Sequence, residues 1–288
     1  MVNKFIVFCI IMIIIFLVMK FYSNNKNRAE SFINYSKING IDKIVWINLD
    51  RSKERRNHMN NLLGNLTVRN QRVAAIDGKN IDTKKIIKGM QCFQKMKNVR
   101  IACTLSHIKA IQSLRNVNGE YFMVCEDDIL LDNLKYFKKD LKTIISEAPK
   151  DFEVLMIYKT WPKDLKKTYV NWKEHYREYR PVFSNKNRRK GWIAGTCCYI
   201  ITRKAVNKLS NYVRYKNDRN FSFNRKLYNK FDLADVYIYL LFKTYVYRYN
   251  FIDIRLEETT IGGKKYLENH SKCSIAQKKI IMRNLNKI

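Results

Sequence analysis

From residue 43 onward the chain alternates between short apolar runs and segments with helical spacing, and this alternation restricts its fold more than any other feature. The apolar runs that predict buried strands are KIVWINLD (43–50), QRVAAIDG (71–78), YFMVCEDD (121–128) and EVLMIY (153–158). The segments that predict helices are RSKERRNHMNNLL (51–63), TLSHIKAIQSLRNV (104–117, with Thr104 as N-cap) and LKYFKKDLKTIISEA (134–148). Strands alternating with helices predict an α/β fold with a largely parallel sheet and helices on both faces.

The chain is strongly basic, with 56 Lys and Arg against 25 Asp and Glu and a net charge of +31. The positive electrostatic field of such a chain attracts nucleic acids, anionic membranes and negatively charged substrates alike. Lys, Asn, Ile and Tyr are abundant, as is typical of A+T-rich coding sequence, and no helix-turn-helix, RNA-recognition or zinc-finger pattern accompanies the charge. We therefore expect no specific nucleic-acid partner. The length of 288 residues suits one large α/β domain or two small ones.

The N-terminus carries fifteen uncharged apolar residues, Phe5 to Met19, between Lys4 and Lys20. Snorkelling lysines extend such a segment to about the length that a thin bilayer needs. A cleaved signal peptide is the alternative, but no small-x-small cleavage site follows the apolar run. We therefore predict a single-pass membrane protein with a membrane anchor (1–22), a linker (23–42) and one catalytic domain (43–288).

The orientation of this predicted anchor stays open, because two signals disagree. Lys20, Lys26 and Arg28 behind the segment outnumber Lys4 ahead of it, which favours a cytosolic domain by the positive-inside rule. Four N-x-S/T sequons favour a lumenal domain instead; they begin at Asn34, Asn65, Asn220 and Asn269. We take a lumenal catalytic domain as the working expectation.

The cysteines show no C-x-x-C pair and no metal-ligand spacing along the sequence. Cys103, Cys125, Cys197 and Cys198 lie in apolar runs, which predicts buried free thiols. The absence of a Cys/His cluster argues against zinc and leaves oxygen ligands for any bound metal ion.

Three consecutive acids, Glu126, Asp127 and Asp128, end the predicted strand YFMVCEDD. In open α/β sheets, ligands bind at the carboxyl ends of the strands. Carboxylates spaced i and i+2 on an extended chain point to the same side, so Glu126 and Asp128 can face one hard divalent ion. A solvated loop or a helix-capping cluster is the alternative interpretation of the same residues.

Six segments resemble, in order and spacing, the motifs of glycosyltransferase family 25, which includes bacterial lipooligosaccharide galactosyltransferases and collagen hydroxylysine galactosyltransferases. These segments are IVWINLDRSKERR (44–56), VAAIDG (73–78), ACTLSHIKAI (102–111), YFMVCEDDI (121–129), GTCCYIITRKA (195–205) and LADVYIY (233–239). The resemblance implies a GT-A type nucleotide-sugar-binding sheet flanked by helices and an inverting, metal-dependent transfer. The implied donor is a UDP-sugar, UDP-galactose or UDP-glucose, and the implied acceptor is a glycan or hydroxylated protein.

The acidic segment matches the family's D-x-D-like motif, which holds Mn²⁺ (or Mg²⁺) against the donor diphosphate. The resemblance implies that Asp128 and Glu126 are metal ligands, with Glu126 alternatively facing the donor ribose, and that Asp127 belongs to the donor site. A bound divalent ion acts as a Lewis acid on the charge that develops on the leaving nucleoside diphosphate.

Other matched positions predict donor contacts, each beside a structural alternative. Asn48, Asp50 and Arg51 end the first strand, where a turn with a helix cap is the alternative. Arg55 or Arg56 is predicted to face the diphosphate, and a solvated helix charge is the alternative interpretation. The remaining predicted donor residues are Asp77, Ser106 and His107. A turn would equally explain Asp77, and a structural hydrogen bond within the helix would equally explain His107.

Asp235 lies in the otherwise apolar run LADVYIYLLF, at the position of the family's late-helix aspartate. The inverting transfer that the resemblance implies needs one base to accept the proton of the acceptor hydroxyl, and Asp235 is the predicted base. A role in the metal shell or in acceptor binding is the alternative for Asp235. The resulting prediction is a membrane-anchored hexosyltransferase. The alternative function is a non-catalytic carbohydrate- or polyanion-binding protein of the same fold.

Overall fold

A computed structural model of the chain describes residues 12–21, 36–88, 97–160, 175–179, 182–183, 189–190, 193–224, 234–256 and 264–284. Its helices are α1 (12–21), α2 (Lys53–Gly64), α3 (Asn98–Ser113), α4 (Leu141–Glu147), α5 (Arg203–Lys208), α6 (Ala234–Leu241) and α7 (Lys264–Arg283). Its strands are β1 (Lys43–Asn48), β2 (Asn70–Ala74), β3 (Ile87–Lys88), β4 (Tyr121–Glu126), β5 (Ile129–Leu130), β6 (Val154–Met156), β7 (Tyr176–Glu178), β8 (Val182–Phe183), β9 (Arg189–Lys190), β10 (Cys198–Thr202), β11 (Val213–Asn217), β12 (Asn220–Phe223), β13 (Thr244–Tyr247) and β14 (Asp253–Ile254).

The central sheet has seven strands in the order β2-β1-β4-β10-β6-β13-β7. Strands β2, β1 and β4 are parallel to one another, and β6 is parallel to β13. Strand β10 is antiparallel to both of its neighbours, and β7 is antiparallel to β13. The α/β prediction is therefore confirmed, while the sheet is mixed because β10 enters its centre in the opposite direction.

Both faces of the sheet are buried, which explains the continuous apolar runs of its strands. Val45 and Ile47 of β1 join a core that includes the buried face of α3. Ile44 and Trp46 point to the other side and join a second core beneath α2 and α4. Ile38, which falls in the predicted linker, is fully buried in that second core.

Helix α3 begins six residues earlier than the spacing predicts, at Asn98. Thr104 is therefore inside the helix and not its N-cap, and its hydroxyl donates to the carbonyl of Arg100 (3.3 Å). The apolar spacing of residues 104–117 continues backward through Ile101, which is also buried. The first turns of α3 consequently face the edge of the sheet where the acids lie.

Helix α7 closes the second core near the C-terminus. Gln277 is fully buried, and its side-chain amide donates to the carbonyl of Ile252 (3.0 Å). Ser274 donates to Asp253 (2.8 Å). These bonds fix α7 against β14 and the segment that precedes it.

The prediction of a single-pass membrane protein is contradicted. Across the described residues, no helix is both long enough and apolar enough to cross a bilayer. Helix α1 covers residues 12–21 of the predicted anchor. The rest of the predicted anchor, residues 1–11 and 22, lies outside the described residues. The membrane partner and the lumenal placement depended on this anchor and are not retained.

Candidate functional site

The carboxyl ends of β2, β1 and β4 lie side by side at one edge of the sheet. Strand β1 pairs with β2 on one side and with β4 on the other, so the chain departs in opposite directions across β1. Such a switch point leaves a crevice outside the strand ends, where open α/β sheets bind their ligands. The predicted acids end β4 at this position.

A cleft opens at this edge between the strand ends, the start of α2 and the first turns of α3. Its empty volume is about 630 Å³, part of which is open solvent. The predicted site residues that line it are Arg51, Arg55, Asp77, Ser106, His107, Glu126 and Asp127. The structure thus brings together side chains from four separate segments of the sequence.

Asp127 is held in place by two side chains. Its Oδ2 accepts a hydrogen bond from Asn48 Nδ2 (2.6 Å), and its Oδ1 lies 2.8 Å from Arg55 Nη1. The Arg55 side chain is 16% exposed and also lies 3.6 Å from Asp128. Asp127 therefore orients the guanidinium group of Arg55 at the cleft.

Asn48 acts behind the cleft as a bracing residue. Its Oδ1 accepts from Arg72 Nε (2.9 Å) and from Arg56 Nε (3.3 Å). Arg72 also pairs with Asp50, and this partner lowers the pKa of Asp50. The Asp50 side chain is 76% exposed and lies outside the cleft lining.

Asp77 forms both an ion pair and a turn at the cleft rim. It pairs with Arg51, and its Oδ1 accepts from the backbone N–H of Lys79 (3.0 Å). The next residue, Gly78, lies directly against the start of α3. A Cβ atom at Gly78 would come within 2.6 Å of the carbonyl oxygen of Asn98. Asp77 therefore forms the predicted turn and lines the cleft at the same time.

The hydroxyl of Ser106 is already engaged by the backbone on both sides. It accepts from the N–H of Ile76 (2.9 Å) and donates to the carbonyl of Ala102 (2.7 Å). These bonds tie α3 to the segment after β2. Ser106 consequently shapes the cleft wall, while its predicted donor contact stays a prediction.

Glu126 and Asp128 converge at the end of β4. A ligand oxygen from each lies within 4.8 Å of the other and of Cys197 Sγ. The prediction attributed this convergence to an extended chain, in which side chains at i and i+2 point to the same side. Asp127 and Asp128 instead occupy a turn between β4 and β5. The turn, and not the i, i+2 alternation, brings the two carboxylates together.

The pKa values of the two carboxylates shift in opposite directions. Burial disfavours the charged form of both. For Glu126, the neighbouring His107, the hydroxyl of Thr196 (2.9 Å) and Arg55 outweigh burial and lower the pKa. For Asp128, burial and the charge of Glu126 raise the pKa to about 8.

The donor set fits a hard divalent cation. Asp128 Oδ1 is buried and has no hydrogen-bond partner among the described residues. A cation that prefers oxygen ligands would satisfy this unpaired acceptor and would also bind the neighbouring carboxylate of Glu126. Glu126 and Asp128 would hold such an ion, as the sequence predicts.

A Cys/His cluster does exist, contrary to the sequence interpretation. Cys103 and His107, four residues apart on α3, lie with Glu126 so that their ligand atoms are all within 4.8 Å of one another. The i, i+4 spacing within ACTLSHIKAI is the signal that would have revealed the pair. Cys103 is half-buried and lines the cleft, so its prediction as a buried thiol is wrong.

Asp235 lies in the first turn of α6, which packs against α3. The side chain is half-buried, and its Oδ1 accepts from the N–H of Val236 (3.0 Å). Its charge contributes to raising the pKa of the Cys103 thiol, after burial and Glu126. Asp235 is therefore electrostatically linked to the cleft, although it is not among the residues that line it.

Sequence reasoning missed several residues at the site. Arg72, Thr196 and Cys197 contact predicted site residues from β2 and from the loop before β10. His270 of α7 is buried, which lowers its pKa to about 4, with the charge of Glu126 acting in the opposite direction. Only tertiary packing places these residues near the acids.

A sequence model described as glycosyltransferase family 25 (LPS biosynthesis protein) matches residues 41–227. The chain belongs to glycosyltransferase family 25. The family 25 match includes the cleft and the acids that end β4, whereas Asp235 and α7 lie beyond it.

Several curated family 25 relatives are similar to part of the chain. A glycosyltransferase 25 family member of Drosophila pseudoobscura pseudoobscura is 27% identical over 128 residues, which cover 41% of this chain and 20% of the relative. The Aedes aegypti glycosyltransferase 25 family member is 29% identical over 38% of this chain and 19% of the relative. Human procollagen galactosyltransferase 2 is 30% identical over 41% of this chain and 21% of the relative. The chain spans about a fifth of the length of the relatives it matches.

Proposed function

We propose that this chain is an inverting glycosyltransferase that moves a hexose from a UDP-sugar, galactose or glucose, to a glycan or hydroxylated protein acceptor. Family membership supports sugar transfer, and the name of one relative, procollagen galactosyltransferase 2, supports galactose as the transferred sugar. The observation that carries the proposal is the convergence of Glu126 and Asp128 at the switch point of the sheet, where Glu126 lines a cleft together with Arg51 and Arg55.

Glu126 and Asp128 are the proposed ligands of Mn²⁺ or Mg²⁺. When bound, such an ion supplies Lewis acidity for the charge that develops on the departing nucleoside diphosphate. The chain itself contributes the fixed carboxylates, which converge because the turn after β4 is braced on both sides. Arg255 N–H donates to the carbonyl of Asp128 (2.7 Å), and Glu126 N–H donates to the carbonyl of Cys197 (2.9 Å).

Arg51 and Arg55 are the proposed cationic contacts of the donor diphosphate. Arg51 is 37% exposed at the cleft rim, where it can exchange part of its contact with Asp77 for a phosphate. Arg55 is more buried and is held by Asp127, so it would present a preoriented guanidinium group. Positioned charges of this kind stabilise a transition state without reorganisation.

Asp235 is the proposed catalytic base. It would accept the proton of the acceptor hydroxyl as that oxygen attacks the anomeric carbon and the diphosphate leaves. Asp235 lies in the first turn of α6, and α6 packs against α3, which lines the cleft. The acceptor would then enter beside α6.

A donor screen tests the proposal. Purified protein is incubated with UDP-galactose, UDP-glucose and other nucleotide sugars, with Mn²⁺ or with a chelator, and release of the nucleoside diphosphate is measured. We expect Mn²⁺-dependent release from a UDP-hexose and its loss in Asp128→Asn. The matched control is Asp151→Asn, a 58% exposed carboxylate before β6 at the opposite edge of the sheet, which should retain wild-type release.

Two outcomes would contradict parts of the proposal. Mn²⁺-dependent nucleotide binding without turnover on any donor would indicate the non-catalytic binding function instead. Release that is unchanged in Asp128→Asn would remove the metal assignment while leaving sugar transfer in place.

A further inference from the structure

We propose that Cys103, His107 and Glu126 form a second metal site, selective for borderline-soft divalent ions such as Zn²⁺, that competes with the hard-ion site for Glu126. The inference does not depend on sugar transfer. It concerns a donor set of one sulfur, one nitrogen and one oxygen, whereas the proposed catalytic ion uses the carboxylates of Glu126 and Asp128.

The three ligands are already close together. Their ligand atoms lie within 4.8 Å of one another, and His107 Nε2 is 3.4 Å from Glu126 Oε1. Around a tetrahedral zinc ion, ligand atoms are separated by roughly 3.3–3.8 Å, given bonds of about 2.0–2.3 Å. Cys103 and His107 share one face of α3 because they are four residues apart.

His107 Nε2 is the observation that points to a ligand. The side chain is 1% exposed, and Nε2 has no hydrogen-bond partner within the described part of the chain. Nδ1 lies 3.2 Å from the hydroxyl of Tyr199. When Nε2 binds a metal ion, Nδ1 would carry the ring proton and donate it to Tyr199, because zinc-bound histidines typically donate their other ring N–H to an oxygen. The ion would then lie between Nε2 and the carboxylate of Glu126 and would satisfy both groups.

The fourth coordination position is open to the cleft. Cys103, His107 and Glu126 all line it, so a water molecule or a bound ligand can complete a tetrahedron there. Thiolate and imidazole ligands favour Zn²⁺, whereas carboxylate-only sites favour Mn²⁺ or Mg²⁺. Because Glu126 belongs to both sets, occupancy by Zn²⁺ would withdraw one carboxylate from Asp128.

Metal binding at this site releases one proton. The Cys103 thiol must lose its proton to bind as a thiolate, and that proton passes to solvent as the sulfur–metal bond forms. Burial and the nearby carboxylates raise the pKa of the free thiol, so the metal has to displace the proton. The net charge of the three ligands and the ion is then zero, which favours a half-buried position.

Co²⁺ is the spectroscopic probe for the site, used with tag-free protein so that no added histidines compete. We expect thiolate-to-Co²⁺ charge-transfer absorption and tetrahedral d–d bands in the wild type, displaced by an equivalent of Zn²⁺. Cys103→Ser should abolish the charge-transfer band. Tyr199→Phe should weaken Co²⁺ affinity by about 10–100-fold, as is typical of outer-shell partners.

Cys197→Ser is the matched control, because Cys197 lies with Glu126 and Asp128 in the other candidate set. The charge-transfer band should persist in Cys197→Ser and in Asp128→Asn. Its loss in Cys197→Ser with retention in Cys103→Ser would overturn the proposal. X-ray absorption of the Zn²⁺-loaded wild type needs no variant to fold: we expect one sulfur and one imidazole, and sulfur without imidazole, or no sulfur, would refute the site.

Discussion

The acidic segment at the end of β4 divides its three carboxylates between different tasks. Asp127 forms an ion pair with Arg55 and accepts a hydrogen bond from Asn48, so it supports the cleft and has little capacity left for an ion. Glu126 and Asp128 keep oxygens directed toward a shared position. The pKa of Glu126 is lowered and that of Asp128 is raised, and perturbed pKa values of this kind cluster at functional sites.

Asp235→Asn separates catalysis from donor binding. If Asp235 is the base, the substitution should lower kcat by about 10²–10⁴-fold, the usual contribution of general-base catalysis. The Kd for UDP in the presence of Mn²⁺ should change little, because Asp235 lies on α6 and outside the cleft lining. Steady-state kinetics and UDP titration measure the two effects. Unchanged kcat with weaker UDP binding would reassign Asp235 to donor binding.

Glu153 provides a pH-dependent stability contribution away from the site. Its carboxylate is 3% exposed and accepts from Lys208 Nζ and from the N–H of Lys243. Burial alone would raise its pKa, but the N–H of Lys243 and the ammonium groups of Lys208 and Lys204 outweigh burial and lower the pKa. We predict that Glu153→Gln lowers the free energy of unfolding by about 1–3 kcal/mol at pH 7.

The sign of the pH dependence follows from that lowered pKa. The stabilisation by Glu153 is fully present above the unfolded pKa of about 4.3 and is lost as pH falls through the folded value. Urea unfolding of wild type and Glu153→Gln should therefore converge at acidic pH. The control is Glu147→Gln, an exposed partner of Lys139, which should cost less than about 1 kcal/mol. A Glu153 effect that grows toward low pH would contradict the assignment.

At the scale of elements, the cleft depends on the contact between the segment after β2 and the start of α3. The Asp77–Gly78 turn, the Ser106 hydroxyl and the N–H of Ile76 form this contact. The sequence indicated a turn at residues 77–78 and a helix near residue 104, but not that they touch. The contact could not be predicted because it depends on six helical residues, beginning at Asn98, that lack a strong start signal.

Gly78→Ala tests this contact directly. The new Cβ would meet the backbone of Asn98 and Val99 at 2.6–2.7 Å, so the turn or the helix must shift. We predict a loss of about 1–3 kcal/mol in the free energy of unfolding, the usual cost of overpacking, together with weaker UDP binding. Gly64→Ala at the end of α2 is the control, since nothing lies within 4 Å of its Cβ position. It should be neutral or stabilising by up to about 1 kcal/mol; equal effects of both substitutions would refute the role of the turn.

At the scale of the whole molecule, local pattern predicted the layers but not the strand order. Alternating apolar and helical segments predicted β1, β2, β4 and β6 and the helices between them. The insertion of β10 between β4 and β6 depends on pairings such as Cys198 with Cys125, more than seventy residues apart. Those pairings bring Thr196 and Cys197 beside Glu126, which explains why the sequence alone identified the acids but not their neighbours.

The central claim is that the acids ending β4 hold a divalent ion that binds the diphosphate of a sugar nucleotide. Calorimetric titration of UDP into the wild-type chain, with Mn²⁺ or with a chelator, tests this claim most directly. We predict UDP binding that requires Mn²⁺. Asp128→Asn should weaken that binding by at least about 10–100-fold, the effect that is typical of losing an outer-shell partner. Equal UDP affinity with and without Mn²⁺, or wild-type affinity in Asp128→Asn, would contradict the account.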